Sequence, residues 1–354
     1  MTPIQDLAGA VRAGLREVAR RASRDGELGA NRGRVTEAPR STPVAALTGR
    51  LAQRLAPDTV WGAKLRGVAG LLSVGAVRAE LRKIAKRPSS WILLGVELAI
   101  LVLIGYLLTW AIYTHPPAGA RLPRGAAAVE LKKGLYPAGF VGSVLHGGLP
   151  SVLTLILGVL AVGSEFGWGT WKTLFTQGPA RLQTWAAKIV ALVIAVATGL
   201  AATFAAAAVL SVIVAAADGQ PLGTWPSAAT IMKGMLAAWF IWGWWALFGA
   251  TLSIVFRNAA LAVGLGLAYQ LVFEGLVFGI VGNLGGGFIG NIQKFFPGPN
   301  ATAVQEAFPA LGAAASQSKP PPVDATQGAI VLGLYCAAAI VAAGLLLHRR
   351  DTSS

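Results

Sequence analysis

Past residue 90 the chain alternates long apolar stretches with short polar ones. Six stretches reach the roughly 20 residues that a helix needs to cross a hydrocarbon core about 30 Å thick. They run over about 91–113, 141–162, 189–217, 234–255, 259–281 and 329–347. The second contains Pro150, which predicts a kink. The third is longer than a perpendicular crossing requires, which predicts tilt or curvature. Between the fifth and sixth lies a segment rich in Gly and Pro, 282–327, with PGPN at 297–300 and one short helix predicted over Ala303–Leu311.

The pattern before residue 91 is different. Residues 78–90 read RAELRKIAKRPSS, with Leu81 and Ile84 apolar and Arg82, Lys83, Lys86 and Arg87 basic. This predicts an interfacial helix, broken by Pro88, that turns into the first span. Over residues 2–24, Ile4, Leu7, Val11, Leu15 and Val18 form one helical stripe, and Leu47, Leu51, Leu55 and then Leu65, Val68, Leu72 repeat the spacing. Residues 25–43 are polar, hold Pro39 and Pro43, and read as a linker. Two readings of residues 1–77 stand side by side: basic amphipathic helices on a membrane surface, or a basic tail without fixed structure. The fold class predicted is therefore an all-α integral membrane protein. It has six transmembrane helices over 91–350, an interfacial helix at 78–90, and a basic, partly amphipathic cytoplasmic N-terminal extension over 1–77.

Composition supports hydrocarbon as the solvent. Of 354 residues, 55% are hydrophobic and 13% charged, about half the charged share of a soluble domain, and the mean hydropathy is +0.61. The formal net charge is +15. No nucleic-acid recognition motif accompanies it, so the partner expected for this charge is anionic membrane lipid rather than nucleic acid. The distribution of charge predicts orientation. Residues before Trp91 hold 17 of the 30 Lys and Arg. Lys172, Arg181 and Lys188 lie between spans two and three, Arg257 between four and five, and Arg349 and Arg350 after span six. The alternate loops carry Arg121, Arg124, Lys132 and Lys133, then Asp218, then Lys294 and Lys319. Basic residues collect on the cytoplasmic side. Both chain ends are therefore expected in the cytoplasm, with the chain multi-pass in the cell's cytoplasmic membrane. The first long apolar run begins near Trp91, so the N-terminus is not read as a signal peptide.

Candidate chemistry is sparse. The sole cysteine, Cys336, rules out an internal disulfide, and His115, His146 and His348 are too scattered in sequence for a metal motif. No G-x-x-x-x-G-K-[ST], G-x-S-x-G or H-E-x-x-H occurs, so neither a catalytic constellation nor a cofactor site is expected in this chain. Two acids lie within spans, where an ionised carboxylate costs about 2.5–3.5 kcal/mol. Glu97, six residues into span one, is expected to play a structural part or to reach the headgroups. Glu274, beyond the midplane of span five, is expected either to tie helices together or to line a path, with Gln270 one turn away on the same face. Gly275 and Gly279 form a G-x-x-x-G, preceded by Gly264 and Gly266, which predicts close helix approach. Trp239, Trp242, Trp244 and Trp245 on span four read as packing, or as an aromatic wall for an apolar substrate.

The most informative segment joins spans two and three: GSEFGWGTWKTLFTQGPAR over 163–181, with Lys188 following. Its aromatic residues beside charges suggest a docking surface, and Thr170–Phe175 a short helix stopped by Gly178-Pro179. The segment resembles the G-x-E…G-T…P-x-R…K pattern of ABC-2 type permeases, the membrane subunits of a class of ATP-binding-cassette transporters. ELRKIAKRPSSW at 80–91 is similar to that family's helix leading into span one, and LHRRDTSS to its basic-Asp ending. The likeness extends over about residues 78–354. It implies a permease subunit that moves substrate, with export the commoner direction, and that is not itself an enzyme. It also implies a cytoplasmic ABC ATPase subunit as partner, which holds the ATP, and pairing with a second permease. Carried over by position, Glu165, Gly169, Thr170, Lys172, Arg181 and Lys188 form the loop that couples to the ATPase. Trp171 and Lys172 stand where the family often has Arg or Leu. The other readings are a polytopic membrane scaffold that recruits partners through its basic N-terminus, and a membrane enzyme without ATPase coupling.

Overall fold

The computed structural model describes residues 73–115, 132–146, 149–169, 171, 181–281, 291–308 and 321–349, with the backbone alone at 277–281. All of them belong to one compact unit, Arg66–Ser354. The expectations for residues 1–72, for the helix at Thr170–Phe175 and for positions 170 and 172 lie outside the described residues. Among those described there are helices and turns and no strand.

Helix α1, Val74–Lys86, starts on a Ser73 cap that accepts from the Ala76 N–H. It is amphipathic, as expected, and starts earlier than the predicted 78. Arg87 is extended, as the residue before a proline prefers, and Pro88 occupies the first turn of α2, Pro88–Thr114. Over Leu101–Leu108, α2 widens to a π-helical pitch. A short helix, α3 (Phe140–Leu145), precedes α4 (Leu149–Gly167). The second apolar stretch is thus two helices, not one kinked span. Pro150 stands in the first turn of α4, where no intrahelical partner is lost for its missing N–H.

Helix α5 runs unbroken over Arg181–Ala217, 37 residues, or about 55 Å. It begins eight residues before the predicted edge of span three. Helix α6 spans Ala228–Phe256. Arg257, at φ 52°, closes it in the left-handed region, and Asn258 caps the next helix by accepting from the Leu261 N–H. Helix α7 then runs over Ala259–Leu267 and continues at π-helical pitch over Ala268–Val281. Helix α8, Pro297–Glu306, starts at the PGPN segment rather than after it. The chain closes with α9, Ala325–Arg349. Six helices (α2, α4, α5, α6, α7 and α9) are long and apolar enough to cross a membrane.

The helices run alternately between two ends of the bundle. At the proximal end lie α1, the start of α2, the α4 C-terminus, the α5 N-terminus, the α6–α7 turn and the α9 C-terminus. Arg87 donates from Nη1 to the Leu160 carbonyl (2.8 Å), and Arg181 to those of Leu347 and His348 (3.3 and 3.5 Å). The distal end gathers Trp110 of α2, Asp218 after α5, and Lys132 and Tyr136. There Lys132 pairs with Asp218 at 2.6 Å, while Trp110 Nε1 and the Tyr136 hydroxyl donate to the same carboxylate at 3.0 and 2.9 Å.

The packing centre is the α4–α6 contact. A Cβ on Gly158 would overlap the Ala246 carbonyl, and one on Gly249 the Leu155 carbonyl. Within this chain Gly275 makes no close helix approach: a Cβ there would meet only the Gln270 carbonyl at 3.6 Å; at Gly264 it would meet nothing within 4 Å, while Gly266 does pack on Leu155. Trp242, Trp244 and Trp245 are buried and Trp239 donates to the Val193 carbonyl, so this tryptophan group packs the core. Asn300 is fully buried and donates to the carbonyls of Lys294 and Phe296, which seats α8.

Helix α5 is tied to the α1–α2 arm at three levels. Lys188 meets Glu80, Thr203 meets Glu97, and Asp218, just past the helix end, meets Trp110.

Candidate functional site

Leu81 and Ile84 of α1 are half-buried, and another face of α1 turns toward the groove between the α4 and α5 ends. Glu80 and Lys83 fall into the groove. From the last turn of α4 comes Glu165, and from the second turn of α5 comes Lys188. The Lys188 ammonium lies 2.8 Å from Glu80 Oε2 and 2.8 Å from Glu165 Oε2. Lys83 closes the ring, at 2.6 Å from Glu80 Oε1 and 3.1 Å from Glu165 Oε1. Arg87 approaches Glu165 Oε1 at 3.7 Å. Three cations therefore enclose two carboxylates, and Glu80, Glu165 and Lys188 are all buried, at 7%, 3% and 4% exposure.

Burial alone would raise the Glu80 pKa, but Lys188 and Lys83 overcome it and hold the carboxyl below its ordinary 4.5. Burial would likewise lower Lys83; its bonds to Glu80 and Glu165 instead raise it above 10.5. Both groups are charged over the whole neutral range. Removing ions from water is costly, and here each carboxylate answers that cost with at least two cationic partners.

Aromatic rings seal the cluster. Trp171 is buried, stacked on Phe166 at 5.1 Å, with Lys188 Nζ 5.4 Å from its ring centre. Trp168 is 66% exposed beyond the end of α4, with the Arg87 guanidinium 5.1 Å from its ring. Gly169 follows at φ 65°, a conformation open to glycine, and turns the chain away.

The residues singled out in the sequence divide accordingly. Glu165 and Lys188 come together. Gly169 makes the turn, and Arg181 reaches the last carbonyls of α9 instead of the cluster. Glu80, Lys83 and Arg87 are partners that the pattern did not mark as such. Glu80 and Glu165 are 85 positions apart, and ion pairs across such distances leave no periodic trace. The usable signal was a lone acid in an otherwise basic amphipathic helix.

The polar residues singled out within the long apolar helices occupy two other places. Glu97 does not reach the helix end: it is buried and accepts a 2.7 Å bond from the Thr203 hydroxyl of α5. Glu274 accepts from the Tyr269 hydroxyl at 2.7 Å, and its carboxyl lies against Gly298 at the start of α8. Gln270 donates to Ser151 of α4 at 2.8 Å. Gln270 thus ties α7 to α4, while the Tyr269–Glu274 bond lies within α7. Among the described residues no group of three metal-ligating side chains occurs.

No protein-family model matches this chain, and a search of curated proteins finds no relative. The functional reading rests on the geometry and on the residue pattern.

Proposed function

We propose that this chain is the membrane-spanning permease subunit of an ATP-driven transporter of the ABC-2 type. The proximal end faces the cytoplasm, and a separate ATPase docks on the α4–α5 connection. The observation that carries the reading is the buried cluster of Glu80, Lys83, Glu165 and Lys188. It anchors the two ends of the connection to each other and to α1. A push on the connection is therefore shared among three helices instead of being absorbed by a loose loop.

Three further observations support it. The even alternation of six helices gathers Arg87, Arg181, Arg257 and Arg349 at one end, the arrangement that basic residues adopt toward the cytoplasm. Trp168 offers an exposed aromatic beside the cluster, the residue type favoured at protein interfaces. The sequence carries no nucleotide-binding motif of its own.

The test is co-expression with the Walker-motif ATPase encoded nearest to this chain, followed by affinity purification in detergent. The two should co-purify, and Trp168→Ala should weaken association by about tenfold, the effect of losing an aromatic anchor, without shifting thermal unfolding. Absence of any nucleotide-dependent association, or an unaffected complex in the variant, would count against the coupling role.

A further inference from the structure

Two cavities meet at Glu97. The proximal one, of about 190 Å³, lies among α1, α2, α4 and α5 and touches Trp242 of α6. Leu81, Ile84, Leu94, Leu157 and Ile194 give it apolar walls. The second, of about 100 Å³, continues toward α3 past Leu101 and Pro150. Glu97, with Leu153, lines both. No lysine or arginine lines either cavity among the described residues. The carboxyl is 8% exposed, and its one side-chain hydrogen bond there comes from Thr203 to Oε1. A buried acid with a single neutral donor, facing apolar space on two sides, lacks the cation that every acid of the proximal cluster has.

We propose that this double cavity is a binding site for a lipophilic primary amine. The apolar body fills the groove between α2 and α5, and the ammonium group pairs with Glu97. An ionised carboxylate at this depth is costly alone. A ligand cation within hydrogen-bond distance offsets that cost by a charge-assisted bond, while the hydrocarbon body replaces contacts that the empty groove forgoes. Trp91 and Trp242 both line the proximal cavity. A neutral alcohol of the same length would fill the groove but leave the acid without a counter-ion, so the site discriminates by charge.

The probe is a dodecylamine carrying a mid-chain diazirine, photolysed with the full chain in phosphatidylcholine nanodiscs and mapped by peptide mass spectrometry. Insertion is expected within 91–94 of α2 and 194–200 of α5. Dodecylamine should compete with it and dodecanol should not. Glu97→Gln should lower insertion by about tenfold or more, the loss of one charged hydrogen bond. Thr203→Val, which keeps the acid, should retain it. Equal competition by dodecanol on the unaltered chain, undiminished insertion in Glu97→Gln, or insertion spread evenly over the lipid-facing surface would each overturn the proposal. Loss of insertion when phosphatidylethanolamine is added to the nanodisc would support the site and name that lipid's own primary ammonium as its occupant. The measurement uses neither nucleotide nor ATPase, so its outcome is independent of the transporter reading.

Discussion

Lys188 sits between two buried carboxylates, and deleting its charge leaves Glu80 and Glu165 facing each other with less compensation. Breaking a buried ion pair from one side costs about 3–5 kcal/mol. Lys188→Met should therefore lower the thermal unfolding midpoint of the detergent-purified chain by several degrees, and adding Glu80→Gln should recover part of the loss. The same residues predict pH behaviour. Glu80 titrates below its ordinary 4.5 in the folded chain, so its contribution is complete above 4.5 and is lost as pH falls through the lower, folded value. Lys83 titrates above 10.5, so its contribution holds below 10.5 and is lost as pH rises past the folded value. Unfolding midpoints measured across pH should thus form a plateau between these limits. Glu80→Gln should flatten the acid side of the curve, because the proton it would have taken up no longer counts.

At the scale of helices, the glycines decide how closely α4 and α6 approach. Gly158→Ala places a methyl group against the Ala246 carbonyl. Overpacking of this kind costs about 1–3 kcal/mol, to be read as lower thermal stability and lower yield of monodisperse protein. Gly275→Ala meets only the Gln270 carbonyl at an ordinary contact distance and should stay within about 0.5 kcal/mol of the parent. The contrast shows how far sequence reasoning extends. The six apolar stretches were legible because hydrocarbon demands length and apolarity, and both are local properties. Which glycine is pressed against a neighbour was not legible, since Gly275 and Gly279 have the familiar spacing whereas Gly158 presses on Ala246 and Gly249 on Leu155, each across to the other helix. Pro150 misled for a related reason: a proline inside an apolar run reads as a kink unless the break that precedes it is known. Glu165 and Lys188 were each singled out through a short motif, but not as partners of each other. Their partners Glu80 and Lys83 belong to a basic helix whose charges, in sequence, all look solvated.

For the molecule as a whole, the proposed orientation can be tested with single cysteines in a Cys336→Ala chain. Val74→Cys and Gly167→Cys, both at exposed proximal positions, should react with an impermeant maleimide only from the cytoplasmic side. Gly223→Cys, exposed in the distal turn between α5 and α6, should react only from outside. Labelling of all three from one side would refute the alternation. The three ties on α5 add something that no one of them contains. Lys188, Thr203 and Asp218 follow at intervals of fifteen residues, about 22 Å each along a helix, and all three hold the same arm. One continuous helix is stiff along its axis, so in the proposed transporter α5 would act as a connecting rod. Displacing its proximal end by a few ångströms loads the Asp218 clamp about 45 Å away and, on the way, shears the Thr203–Glu97 contact between the two cavities. In the proposed transporter, an event at the foot of the bundle and release of an amine held at Glu97 would then be a single mechanical stroke.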